Sequence, residues 1–468
     1  MKATYLIAEI GSTTTVVTAF GPTDEKNFAR IAQGQAPTSV ADGDVTIGLQ
    51  AALQEAEQSS SAPLEWEQMI ASSSAAGGLR MTVHGLVYDM TVRAAREAAL
   101  GAGANIHLIT AGLLSDDDLF ELEQIRPNIL LLAGGVDYGE SGIILANAKK
   151  ITELSFRLPV VFAGNQAIKG QILRIFQEAN FPIRIVENVY PRIDQLNVEP
   201  TRKAIQDVFE EHIVEAPGMS KIREMVTGKI TPTPGAVLLG AQLLQKAIGD
   251  LVVIDVGGAT TDVHSVTAGD PEIAAMLIAP EPLAKRTVEG DLGVYINGEK
   301  VLSLCDAELI ARELNYPQER LQELIVPIPK SELEKNFVTL LTEKATWTGM
   351  IRHAGVLEYL YGPTGRMTVS RGKDLTAIRW IIGTGGALTQ LPNGRSILSK
   401  LNQPRSSQVL LPRHGQVLLD KDYILAAAGL LAEVNPEGAL ALLGTSLFES
   451  IELFNKARDS HKKESCEN

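Results

Sequence analysis

Leu251-Val252-Val253-Ile254-Asp255-Val256-Gly257-Gly258-Ala259-Thr260-Thr261-Asp262-Val263-His264-Ser265-Val266-Thr267 is the stretch on which the reading of this chain turns. An apolar strand ends in an acid, passes through two glycines and two hydroxyls, and returns as a second strand that opens on another acid. Glycines let backbone amides approach an anion and accept positive φ, and hydroxyls add donors at the same point. Asp255 and Asp262 would repel a bare phosphate, and make sense beside one only with a hydrated divalent cation between. The pattern predicts a hairpin built for Mg-nucleotide. Moving outward, the N-terminus repeats it: Tyr5-Leu6-Ile7-Ala8-Glu9-Ile10 leads into Gly11-Ser12-Thr13-Thr14-Thr15 and then Val16-Val17-Thr18. A P-loop would carry Gly-Lys-Ser/Thr and a Rossmann turn G-x-G-x-x-G, each before a helix, and neither fits. A third segment, Trp380-Ile381-Ile382-Gly383-Thr384-Gly385-Gly386-Ala387-Leu388, is a buried-type strand opening into glycines that would lie flat against a base or ribose. Each of the three alone also fits an ordinary tight turn.

Together, in this order and spacing, they resemble the phosphate-1, phosphate-2 and adenosine motifs of the superfamily of actin, the heat-shock chaperone ATPases and the sugar kinases. The resemblance implies an α/β fold of two ribonuclease-H-like lobes closing on ATP and Mg. It implies that Glu9 and Asp255 hold hydrated Mg and that Asp262 orients the attacking or metal-bound water. Gly11, Ser12, Thr13 and Thr14, with Gly257, Gly258, Ala259, Thr260 and Thr261, would grip phosphates, and Gly383, Thr384, Gly385 and Gly386 would face adenosine. The superfamily usually has Asp where this chain has Glu9, a displacement of the carboxylate by about 1.5 Å.

The central hairpin, Ser73-Ser74-Ala75-Ala76-Gly77-Gly78-Leu79 and Leu132-Ala133-Gly134-Gly135-Val136-Asp137 look like the glutamate mutase accessory proteins of the GlmL or MutL type, a likeness that runs over essentially the whole chain. That family is related to the ATP-grasping subunits of hydantoinases and oxoprolinases. It implies partnership with the subunits of an adenosylcobalamin-dependent mutase of the glutamate or ornithine type, which the protein would reactivate. Rival uses of the same cleft are a small-molecule kinase, with Asp137 or Asp291 as base, a hydantoinase-like ATPase, and an ATP-driven filament. A dehydratase activator is disfavoured, because its cluster needs cysteines that this chain lacks.

Composition narrows the field. The chain has 468 residues, enough for two or three domains, with 45% hydrophobic and 21% charged residues. A net charge of -14 argues against nonspecific nucleic-acid binding, which needs a basic footprint. Only Cys305 and Cys466 occur, too few for a disulfide framework, an iron–sulfur cluster or a zinc site, so a reducing cytoplasm is expected. The opening residues lack an export signal and no uncharged run reaches about 18 apolar residues, so no membrane span is expected. Oligomeric state stays open.

The expected organisation is a first lobe over 1–245 holding an inserted module at about 100–200, a second lobe over 246–422, and helices over 423–468 that return to the first lobe. In the module, apolar runs at 106–110, 129–133, 160–163 and 183–186 alternate with amphipathic segments, which predicts a doubly wound parallel sheet. Such sheets bind ligands beyond the carboxyl ends of their strands, where Ala133 to Asp137 and Ala163 to Gln166 stand; the same glycines also serve as turns. The rhythm resembles cobalamin-binding domains, but their Asp-x-His-x-x-Gly signature is missing. Residues 69–78, a strand ending in small residues, either turn the chain or face the cleft. Small-residue helices over 236–247 and 423–433 are expected to connect the lobes. Lys285 and Arg286 read either as phosphate contacts or as a solvated face. Helices are expected over 306–324, 331–341, 342–361 and 438–455, with 456–468 frayed.

Overall fold

The computed structural model describes residues 2–11, 13–23, 28–39, 44–60, 62–74, 79–213, 219–362, 365–403, 406 and 408–467. Ser12 and the stretch 75–78, both singled out above, lie outside them.

The chain opens with three antiparallel strands, β1 (Lys2–Ile10), β2 (Thr14–Pro22) and β3 (Phe28–Pro37), followed by the helix Val45–Ser60 and β4 (Glu65–Ser73), which lies parallel to β1. A second sheet follows, made of β5 (Arg80–Gly85), β6 (Asn105–Ala111), β7 (Ile129–Leu132), β8 (Val160–Phe162) and β9 (Ile183–Ile185). All its pairings are parallel and its order is β6-β5-β7-β8-β9, the doubly wound pattern. The module therefore takes in β5, which lies upstream of the boundary near residue 100 expected from sequence; β5 has only six residues and leads into an irregular turn.

Strand β10 (Ile230–Pro232) then returns to the first sheet, parallel to β4. The third large sheet repeats the first: β11 (Leu251–Val256), β12 (Thr261–Val266) and β13 (Ala284–Glu289) are antiparallel. After them come a separate hairpin, β14 (Val356–Gly362) and β15 (Gly365–Arg371), and then β16 (Trp380–Thr384) and β17 (Gln416–Leu419), both parallel to β11. The orders β3-β2-β1-β4-β10 and β13-β12-β11-β16-β17 are the same arrangement used twice. Two ribonuclease-H-like sheets with a doubly wound insertion make this an actin-like ATPase fold.

Each repeated sheet ends in a helix, Thr233–Ile248 after β10 and Leu425–Leu431 after β17. The two helices cross with their backbones in contact. A Cβ on Gly429 would stand 2.0 Å from Ala236 O, and one on Gly240 would stand 2.8 Å from Leu425 O. Only glycine permits that approach, and it brings the lobes onto a shared core in which Ile7, Phe20 and Ile70 pack with Val253, Ile382 and Leu443. Trp380 and Phe448 meet edge-on at 5.4 Å in the same core.

Three expectations fail here. The segment 306–324 is not one helix but an α-helix, Ala307–Leu314, and a 3-10 helix, Gln318–Leu324, parted by Asn315 in left-handed backbone and by Pro317. The segment 342–361 is not one helix: Glu332–His353 is a single helix, capped by Ser331 and Glu334, and Val356 begins a strand. Val356, Tyr359 and Tyr361 are β-branched and aromatic residues that favour a strand, and the run follows Gly355, a helix breaker. The 438–455 helix is also two, Pro436–Leu447 and Ile451–Glu467, and the second runs through the segment expected to fray. An Arg379–Glu464 ion pair at 2.6 Å ties it down.

Candidate nucleotide cleft

The two acid-bearing hairpins are built alike. Gly11 N donates to Thr14 O at 2.9 Å, and Gly257 N donates to Thr260 O at 2.9 Å. Glu9 lies opposite Val16 in one ladder, as Asp255 lies opposite Asp262 in the other. The glycines serve by lacking a side chain rather than by backbone sign: none of Gly11, Gly257 and Gly258 has positive φ, but a Cβ on Gly11 would stand 2.5 Å from Thr14 O. The carbonyls of the second turn are taken up by the backbone of residues 294–296, Gly257 O accepting from Val294 N at 3.1 Å and Gly258 O from Tyr295 N at 2.9 Å and Ile296 N at 2.8 Å. The turns meet across the gap, where a Cβ on Gly258 would touch Thr13 at 3.6 Å.

Below the turns the acids gather. Burial pushes the Glu9 carboxyl up to about 8, with Asp420 and Asp255 adding repulsion. Removal from water likewise pushes Asp255 up to about 7, with further repulsion from Asp262 and Asp420 only partly offset by Arg286. Glu9 Oε1 is buried without a hydrogen-bond partner. Glu9 is buried and Asp255 half-buried; carboxyls so placed that repel one another and leave an oxygen unpaired are a site whose chemistry asks for a cation. Asp262 is held differently: its Oδ1 accepts from Arg286 Nη2 at 2.6 Å and its Oδ2 from Thr260 Oγ1 at 3.0 Å.

Because both carboxyls bind protons at higher pH in the native chain than when unfolded, the native state holds more protons across the window from their ordinary values to about 7 and 8. Stability from this source is complete at the acid end and is lost as pH rises through those values. The buried histidines His84, His264 and His353, held below their ordinary range by desolvation, titrate in the opposite sense, so the cluster is read against a variant. Between about pH 5.5 and about pH 8.5 the melting temperature of the nucleotide-free wild type is expected to fall relative to that of Glu9→Gln, as read by scanning calorimetry; a difference that stays constant or grows in favour of wild type contradicts the buried acid cluster.

Sequence reasoning missed two residues of the cluster. Asp420, fully buried, accepts from Thr384 Oγ1 at 3.0 Å, Ser446 Oγ at 2.7 Å, Ile424 N at 3.1 Å and Leu425 N at 2.8 Å, so it caps the second connector helix while its charge acts on Glu9 and Asp255. The signal was an acid directly after a strand of the repeated sheet. Tyr423 holds left-handed backbone, φ 51°, and its phenol is kept protonated far up the scale by burial and by Glu9, Asp255 and Asp420. A bulky residue in that region persists only where its surroundings over-determine it, as at functional sites.

The third glycine segment is only partly at the cleft. Gly383 packs in the core, since a Cβ there would strike Leu398 at 2.6 Å, and Thr384 is spent on Asp420. Gly385, at φ 83°, lies against the phosphate-type acid, with its Cβ position 2.4 Å from Asp255 Oδ1, while Gly386 faces open space. Thr261 donates to Leu292 O at 2.8 Å, away from the turn.

The kinase bases are committed elsewhere. Asp291 receives two guanidinium donors of Arg352 at 2.7 and 3.0 Å. Asp137 accepts from Asn188 Nδ2 at 2.9 Å and from Gln166 N and Nε2 at 3.0 and 2.7 Å, closing the carboxyl ends of the module strands with the protein's own groups. Lys285 and Arg286 are not a solvated face: Lys285 pairs with Glu281 at 2.7 Å and Arg286 with Asp262 at 2.6 Å, all buried. Among the described residues no helix is long and apolar enough to cross a membrane.

Comparison with known proteins agrees in extent. A family model described as MutL protein matches residues 5–447. Protein MutL of Clostridium tetanomorphum is 37% identical over 460 residues, spanning 94% of this chain and 98% of that protein. Among solved structures, a glycerol dehydratase reactivase is 12% identical, TM-score 0.35, over 92% of this chain and 99% of that one. Nucleotide-free diol dehydratase-reactivating factor is 11% identical, TM-score 0.35, over 92% and 99% of the two chains. These structural likenesses are loose, and the fold assignment stands on strand order.

Proposed function

The chain belongs to the MutL protein family, and on that premise we propose that it is an ATP-dependent reactivating factor for an adenosylcobalamin-dependent mutase of the glutamate or ornithine type. The observation that carries the nucleotide part is the meeting of two acid-bearing turns, Gly258 against Thr13, over the Glu9, Asp255 and Asp420 cluster. Triphosphate would lie between the turns, taking donors from Gly11 to Thr14 and from Gly257 to Thr260. Glu9 and Asp255 would hold Mg. An ion bound through two carboxylates would keep most of its waters, as Mg usually does. Bound Mg would neutralise phosphate charge and order water around it.

The protein's own groups do the rest. Thr260 and Arg286 fix Asp262, the acid that would orient water at the phosphate end. The crossing at Gly240 and Gly429 lets one lobe shear over the other. A radical mutase that loses its adenosyl group keeps damaged cobalamin in its active site; a two-lobed ATPase that binds one conformation of that enzyme preferentially can open it. The test is turnover of a hydroxocobalamin-blocked mutase, which the full chain with MgATP restores and the chain without nucleotide does not. Equal turnover with and without MgATP refutes the reading.

A further inference from the structure

One guanidinium joins the phosphate end of the cleft to the inserted module. Arg286, 3% exposed, stands on β13, the edge strand of the second-lobe sheet. Its Nε and Nη2 donate to Asp262 Oδ1 at 2.9 and 2.6 Å, and its Nη1 donates to Leu100 O at 2.9 Å. Leu100 lies in the last turn of the helix Arg93–Gly101, the connection from β5 to β6. Arg93, Glu97 and Leu100 follow helical spacing along one face, and all three reach the second lobe. Arg93 Nη2 donates to Pro280 O at 2.7 Å, and Glu97 lies 3.7 Å from Lys285 Nζ.

The repeated hairpins show that the sheet does not need this pair. In the first lobe the position equivalent to Asp262 is Val16, in the same register opposite the strand-end acid. An apolar residue at this point of the ladder therefore folds, whereas a buried acid with a guanidinium carries a desolvation cost that packing alone does not call for. The pair stands where only one of the two lobes needs it, beside a turn proposed to hold phosphate and against a helix of another unit.

We propose that Arg286 is a positioning residue that reports occupancy of the phosphate end to the inserted module; this rests on the ATP cleft proposed above. A divalent cation held by Glu9 and Asp255 would draw on the charge of Asp262, which lies opposite Asp255 in the ladder, and a triphosphate would attract the guanidinium, so both would compete with the Asp262–Arg286 pair. The line from Asp262 through Arg286 to Leu100 O is then reset. The last turn of the helix loses its buried donor, and the module's first connection loosens from the second lobe.

Hydrogen exchange of the full chain, read over residues 98–104 with and without saturating MgATP, tests this. The wild-type segment is expected to exchange several-fold faster with MgATP. Arg286→Lys keeps a positive charge by Asp262 but lacks the fork that spans both acceptors, and Asp262→Asn approaches the pair from its other end. In each variant the segment is expected to exchange at one rate whether or not MgATP is present. Wild-type protein that binds MgATP by calorimetry with unchanged or slower exchange in this segment overturns the coupling, as does a folded variant that keeps the wild-type response. Failure of the wild-type protein to bind MgATP instead removes the cleft reading itself.

Discussion

Asp255→Ala is expected to lower MgATP-dependent rescue of a blocked mutase by roughly 10²–10³-fold, the usual loss when one preorganised electrostatic contact is removed from a reacting site. The same change is expected to leave the folded chain at least as stable as wild type near about pH 8. Asp255 is a desolvated carboxyl repelled by Asp262 and Asp420, with its pKa pushed to about 7. Ionising it in the native state therefore opposes folding, and deleting it relieves that opposition. Loss of rescue with an unchanged or higher melting temperature separates a functional acid from a structural one. Retained rescue in Asp255→Ala removes the assigned role.

Gly429→Ala is expected to destabilise the chain by about 2–3 kcal/mol, at the upper end of overpacking effects. The added Cβ would lie 2.0 Å from Ala236 O and 2.8 Å from Gly240 N, both backbone atoms that cannot swing aside as a side chain end would. The two connector helices must separate, and with them the lobes. Gly170→Ala is the contrasting change: it lies in the helix Lys169–Glu178 with nothing within 4 Å of its Cβ position. There alanine is expected to stabilise by roughly 0.5–1 kcal/mol through helix propensity. Urea unfolding midpoints of the two variants should move in opposite directions; a Gly429→Ala midpoint at or above wild type contradicts backbone contact at the crossing.

The sequence carried the parts of this molecule that are written as local pattern. Strand, acid, glycine and hydroxyl in order were enough to read both hairpins, because a tight turn between buried strands leaves few residue types a choice. Near-continuous apolar runs such as Ile129–Leu132 signalled the parallel module, and small residues marked the helices that cross at Gly240 and Gly429. What stayed hidden depends on partners distant in sequence. Asp420 reads as one more acid until Ser446, Thr384 and the start of the next helix close around it. Lys285 and Arg286 look solvated because, although Glu281 stands only four residues before Lys285, nothing nearby in the chain shows that Glu97 and Asp262 also converge on them. Gly383 was read with its neighbours as facing a base, yet its register opposite Ile254 turns it into the core. The strand β14 does not announce itself because Val356 to Tyr361 shows no alternation of apolar and polar residues, and Gly355 is the one turn signal before it.

Titration calorimetry of the full chain with ATP, in the presence and absence of Mg, bears most directly on the pairing of the two acid-bearing turns. One saturable site is expected with Mg, weakened at least about tenfold, or about 1.4 kcal/mol, when Mg is omitted, and weakened similarly by Asp255→Asn with Mg present. Equal affinity for ATP with and without Mg, or no saturable binding under either condition, would show that Glu9 and Asp255 do not face a common nucleotide.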